Sequence, residues 1–237
     1  MQLSEYRIPD FSTQNGNVLD ITLSYATYGQ LNNAKDNAIL VATSYSATHE
    51  DAEDLFADSD ILDLSSHCVT VINMMCNSAS SSPSNTPSPF DGPRFPLITV
   101  HDNVKAQHQL ITKHLGIEKL KLVMGFSMGG LQTFEWGAQH SDMVDAILPI
   151  CGAAKISNHN WLFLEGAKKA LLADPAFNQG DYMGRPEAGM EAFSTVYGGW
   201  VFSQDFFREE VPKCHDESPF SLPHVNGRVE RGPKIHI

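Results

Sequence analysis

Ser127 lies in the run KLKLVMGFSMGGLQTFEWG, residues 119–137, which sets a serine in a GxSxG frame. That spacing is the pattern of an acyl nucleophile, because attack on a carbonyl carbon needs an exposed oxygen and nearby N–H groups to hold the oxyanion that forms. The elements that must position it are legible on both sides. Residues 119–124 have the apolar and β-branched density of a buried strand, 125–129 read as a turn, and 131–138 as the helix that follows. On such a turn Gly125 and Gly129 must lack side chains so that strand and helix can approach, and Gly130 relieves the same crowding. The serine is then presented at the carboxyl end of its strand. The backbone N–H of Met128 points to the oxyanion position, and the helix amino terminus adds a favourable field. The plain alternative is a glycine-rich strand-to-helix turn carrying a solvent serine.

A chain of 237 residues suffices for one large domain, or one domain with a small appendage. Its formal charge of −12, with no local run of Lys or Arg, excludes nucleic acid and membrane surface as expected partners. The opening MQLSEYRIPD has neither a charged leader nor an apolar core, and no stretch reaches the about eighteen apolar residues of a membrane span, so a soluble cytoplasmic protein is expected. Cys68, Cys76, Cys151 and Cys214 are scattered without CxxC spacing and are expected as buried free thiols. Cys214 with His215, His224 and His236 matches no common zinc frame, so neither a metal nor a bound cofactor is expected.

Along the chain, residues 1–30 read as a β-hairpin turning at Asn15-Gly16. Strand and helix then alternate: a strand over 38–43, a short helix over 50–56, and a strand over 68–73, which is the grammar of a parallel sheet. Residues 77–96 are rich in serine and proline and form a long loop of the kind that tends to be functional; phosphate acceptance and a flexible surface are both open there. Thr99 with Asp102 resembles a capping box, and Val104, His108, Ile111 and Leu115 follow at helical spacing until Gly116. His108 is expected to pack or face solvent. A further strand covers 145–150, after which helices are expected over 162–173, 187–196 and 204–210. The domain reading is a core over 1–153, a helical cap region over 154–210, and an irregular or disordered tail over 211–237.

With these segments in order, the chain resembles the α/β-hydrolase superfamily and, more narrowly, the homoserine O-acetyltransferase-like family. The likeness is carried by LSYATYGQLNNAKDNAILVATSYSATHED, by FPLITVHDNVKAQHQLITKHLGIEKLKLVMGFSMGGLQTFEWGAQHSDMVDAILPI, and by LEGAKKALLADPAFNQGDYMGRPEAGMEAFSTVYGG, over about residues 4–207. It implies a doubly wound, mostly parallel sheet with the start of a helical cap. It also implies a covalent serine mechanism in which Ser127 attacks a small-molecule acyl donor or ester. Met128 and Tyr45 would offer backbone N–H groups to the oxyanion, and a hydroxyl or water would take the acyl group. A tyrosine packed over the sheet edge is the structural alternative for Tyr45. Acyl-CoA is the co-substrate and a homodimer the assembly that the resemblance suggests.

Two departures from the family pattern stand out. The homoserine-specific members carry an arginine in the motif matched here by STVYGGW, at the position of Thr195, which argues against homoserine as substrate. The family also continues through two more strands bearing the triad Asp and His, so the chain reads as a C-terminally truncated member. A substitute pair, Asp205 with His215 or His224, would have to be held by a segment without packing signals. The alternatives left open are a working acyltransferase or ester hydrolase, and a catalytically inactive remnant or interaction module.

Overall fold

Gly16 closes the first hairpin at φ 82° and donates its N–H to the Thr13 carbonyl at 3.0 Å, where a side chain would strain the turn. The computed structural model describes residues 2–53 and 62–208. Strand β1 (Gln2–Ser12) pairs antiparallel with β2 (Val18–Tyr28), with a register shift between Ile8 and Phe11 that bends the ribbon. β3 (Ala38–Ala42), β4 (Cys68–Ile72), β5 (Leu122–Phe126) and β6 (Ile147–Ile150) complete a sheet of order β1-β2-β4-β3-β5-β6. From β4 to β6 every pairing is parallel. β3 and β4 are buried at all five positions, as expected for strands covered on both faces.

Alternation divides the core in two. Leu40, Ile72 and Val123 face one cluster with Val104, Leu110, Ile111 and Trp136, while Ile39, Val41, Val69, Val71 and Met124 face the other. Helix α1 (Val100–Gln109) opens on a complete capping box: Thr99 accepts from Asp102 N–H, and the Asp102 carboxylate accepts from Thr99 N–H at 3.0 Å. The helix then widens into a π turn over Leu110–His114 and stops before Gly116, at φ 62°. Helix α2 (Met128–Gln139) follows β5.

The chain divides into two compact units after Ala154. The second contains α3 (Asn158–Leu172), α4 (Glu187–Val201) and α5 (Gln204–Arg208). Across the α3–α4 seam Phe163 stacks on Trp200 and meets Tyr197, which stacks on Phe193 one turn back along α4.

Several expectations need correction. The helix expected over 50–56 is a single 3-10 turn, Glu50–Ala52, and residues 54–61 lie outside the described ones. The strand expected from residue 145 begins at Ile147, because Asp145 instead donates its N–H to the Leu120 carbonyl and pairs with Lys119. α3 starts at Asn158 rather than 162 since Ser157 caps it, its hydroxyl accepting from Asn160 N–H. Of the thiols expected to be buried, Cys68 is, Cys76 is half-buried, and Cys151 is exposed at the turn that ends β6. Cys214 and the tail over 211–237 lie outside the described residues.

Candidate active site

At Ser127 the backbone takes φ 54° and ψ −113°, a conformation that costs about 1–3 kcal/mol for a residue with a side chain. The surroundings hold it there. Ser127 N–H donates to the Ile150 carbonyl at 2.8 Å, and the Ser127 carbonyl accepts from Leu131 N–H at 3.2 Å. A Cβ on Gly125 would fall on the Gly129 backbone, and one on Gly129 would fall on the Ala42 carbonyl. Gly130 meets Gly152 in the same way, at 3.0 Å from a notional Cβ to the Gly152 Cα. Helix α2 is thereby pressed onto the ends of β3, β5 and β6, closer than side chains permit.

Although Ser127 is the N-cap residue of α2, its hydroxyl makes no capping bond. The oxygen is therefore not spent on the helix. Met128 is the first residue of α2, so its N–H has no intrahelical acceptor and lies in the positive end of the helix dipole. Ala42 of β3 is in register with Gly125 of β5, so the segments after both strands leave by the same edge of the sheet. The segment after β3 carries Tyr45. It is pinned at both ends: Met74 N–H donates to Thr43 Oγ1 at 3.0 Å, and His49 N–H donates to Asn73 Oδ1 at 2.8 Å. Between them Ala47 N–H closes a turn on the Ser44 carbonyl at 3.1 Å, with Ser46 at φ 56°. Tyr45 itself is 42% exposed. The arrangement brings Ser127, Met128 and the Tyr45 turn to one edge of the sheet, where nucleophile and oxyanion donors belong.

The described histidines are engaged elsewhere. His49 Nδ1 sits 3.2 Å from Asn73 Nδ2, His67 Nδ1 is 3.2 Å from the Asp63 carbonyl, and His101 Nδ1 is 3.0 Å from Glu135 Oε1. His114 Nε2 is 3.0 Å from the Tyr25 hydroxyl, and His159 meets Trp200. His108 and His140 stack face to face at 3.9 Å, and burial holds both imidazoles below their usual range. None of the described histidines hydrogen-bonds to the Ser127 hydroxyl. His215, His224 and His236 lie outside them, so the substitute pair with Asp205 has no described partner for that carboxylate; Asp205 instead pairs with Arg208 at 3.2 Å. Burial pushes the Cys76 thiol up to about 12, which removes it as a competing nucleophile.

Sequence reasoning missed the polar lining beneath this edge. Asn73 is fully buried, and its carbonyl accepts from Ser80 Oγ at 2.6 Å. Ser80 and Ser81 in turn accept from the N–H groups of Ser24 and Thr22 on β2, at 2.9 and 2.8 Å. The loop over 77–96 thus carries two buried serines, Ser80 and Ser81, that substitute for a neighbouring strand, while buried Ser82 bonds within the loop, donating to the Ser80 carbonyl at 2.8 Å. Among the described residues no group of three or more His, Cys, Asp or Glu could hold a metal ion, and no helix is long and apolar enough to cross a membrane.

Residues 51–232 match the family model of the alpha/beta hydrolase fold. The chain is 41% identical over 189 residues to an ethyl acetate hydrolase of Pseudomonas veronii, covering 78% of this chain and 54% of that one. It is 33% identical to a homoserine O-acetyltransferase of Chlorobium chlorochromatii, covering 93% of this chain and 67% of the other. The solved acetyl esterase MekB superposes with a TM-score of 0.87 at 35% identity, over 98% of this chain and 68% of that one. The chain thus spans about half to two thirds of the length of these relatives.

Proposed function

The chain belongs to the α/β-hydrolase family, in its homoserine O-acetyltransferase-like branch, and from that premise we propose that it is a serine ester hydrolase acting on small acyl esters. The observation that carries the proposal is Ser127, held at φ 54° with its hydroxyl unspent beside the first N–H of α2. In the reaction the Ser127 oxygen attacks the ester carbonyl, whose π electrons move to oxygen. The resulting oxyanion is held by the N–H groups of Met128 and Tyr45. Collapse expels the alcohol, which leaves with a proton, and water then cleaves the acyl-serine. The proton passes through a base supplied from outside Ser127's described neighbours.

Water is preferred over homoserine as acyl acceptor because Thr195 stands where homoserine-specific members have an arginine. Its hydroxyl is turned onto its own helix, donating to the Glu191 carbonyl at 2.9 Å. Relatives named for ethyl acetate and acetyl esters support a short acyl group. A transferase form would draw its acyl group from acyl-CoA. The reading includes a cytoplasmic location and a homodimer. A second reading, a non-catalytic interaction module, is favoured by one observation: each described histidine is engaged away from the serine. A fluorophosphonate probe with p-nitrophenyl acetate hydrolysis separates the two. Labelling and hydrolysis that both vanish in Ser127→Ala support the hydrolase; folded protein inert in both assays supports the module.

A further inference from the structure

A buried chain of side-chain amides runs from α1 and α2 to the segment that carries Tyr45. Trp136, Gln107 and Gln132 are all fully buried, and Thr43 is 4% exposed. Trp136 Nε1 donates to Gln107 Oε1 at 2.8 Å, Gln107 Nε2 donates to Gln132 Oε1 at 2.6 Å, and Gln132 Nε2 donates to the Thr43 carbonyl at 3.0 Å. The direction of the chain is not free. An indole N–H can only donate, so Gln107 must turn its oxygen to Trp136 and its NH2 to Gln132. Gln132 must then present its oxygen to Gln107 and its NH2 to the backbone. A flip of either amide would set two oxygens, or two NH2 groups, face to face in a site without water access.

The far end of the chain touches both segments that present oxyanion donors. Besides Thr43, two residues before Tyr45, Gln132 Nε2 lies 3.4 Å from the carbonyl of Met128. We infer that Gln132 is a positioning residue for the oxyanion site, tying the Tyr45 turn to the amino terminus of α2, and that Trp136 sets its polarity from a distance through Gln107. This rests on the reading of Ser127 as nucleophile. A carboxamide that bridges both segments fixes their separation, and oxyanion stabilisation depends on donors held in advance at the right distance.

Two variants of the full chain test this. Gln132→Leu keeps the volume and removes the donor. Gln107→Glu leaves the Thr43 contact untouched in composition but inverts the chain, since a carboxylate has no N–H for Gln132 and draws the Gln132 NH2 away from Thr43. Both are expected to slow fluorophosphonate labelling of Ser127 at least tenfold, and to raise amide hydrogen exchange over residues 43–49 while β3 and β5 keep their protection. Gln132→Glu covers the case in which Gln132→Leu fails to fold. Its neutral acid can again donate to Thr43, so its labelling rate relative to the unmodified protein should rise as pH falls, a profile that packing alone does not give. Labelling and exchange both unchanged in Gln107→Glu and Gln132→Leu would overturn the inference. Raised exchange over 43–49 in a protein whose unmodified form does not label would leave the positioning role standing and remove the proposed function instead.

Discussion

The two flanks of β5 differ sharply. Toward β3 the sheet is closed: β3 is buried at every position, Leu40 is fully buried, and the carbonyl at its exit is met by a side-chain amide. Toward β6 it is open. Ile147 and Leu148 are 38% and 44% exposed, Phe126 at the end of β5 is 55% exposed, and β6 is the last strand in the sheet order. Ser127 and the start of α2 are held from both sides, by the Ala42 carbonyl on the closed flank and by Ile150 and Gly152 toward the open one, whereas no described histidine hydrogen-bonds to the Ser127 hydroxyl.

Truncating one leucine on each flank should give the largest contrast. Leu40→Ala should cost about 2–5 kcal/mol and Leu148→Ala less than about 0.5 kcal/mol, read from urea midpoints at constant slope; similar losses at both positions would mean that β6 is covered in solution. Glycine substitutions have smaller effects of opposite sign. Gly129→Ala must push against the Ala42 carbonyl and should cost about 1–3 kcal/mol, while Gly199→Ala in α4, with nothing within 4 Å of its notional Cβ, should raise stability by about 0.5–1 kcal/mol. Loss of the capping box in Thr99→Ala should cost about 1 kcal/mol, measured the same way.

The smallest effect is the dependence on pH. Burial holds the His108 and His140 imidazoles below the ordinary histidine range, so the unfolded chain takes up their protons first as pH falls. Their contribution is present in full above about pH 6.5 and is lost as pH drops through the folded values, with Lys113 and His101 adding to the shift and Asp142 and Glu135 opposing it. Thermal melts of the unmodified protein against His108→Gln should converge as pH is lowered; a constant difference from pH 8 to pH 5 would contradict the assignment.

The place of the elbow was legible in the sequence because its determinants are local, three glycines whose absent side chains permit the approach with an apolar strand before them and a helix after; its bounds were not, since β5 runs over Leu122–Phe126 rather than 119–124 and α2 starts at Met128 rather than 131, leaving Ser127 alone between them. The capping box at Thr99 and the hairpin turn at Gly16 were legible for the same reason. The amide chain was not. Gln107 and Gln132 read in sequence as ordinary polar helix positions, and only the packing of α1 against α2 buries both and leaves them each other as partners. Ser80 and Ser81 likewise read as loop composition, yet they pair with β2 once the chain folds back. The exposure of Cys151 escaped for a related reason: an apolar run marks a strand, and it does not say whether that strand ends at a margin.

On the proposed function, the strained turn at φ 54° presents Ser127 as a reactive serine. The stoichiometry and site of fluorophosphonate labelling on the folded 237-residue chain, read by intact mass and peptide mapping, test that reactivity. One phosphonate per chain on Ser127, absent in Ser127→Ala, is the expected result; folded protein that remains unlabelled, or labelled at another residue, would contradict it.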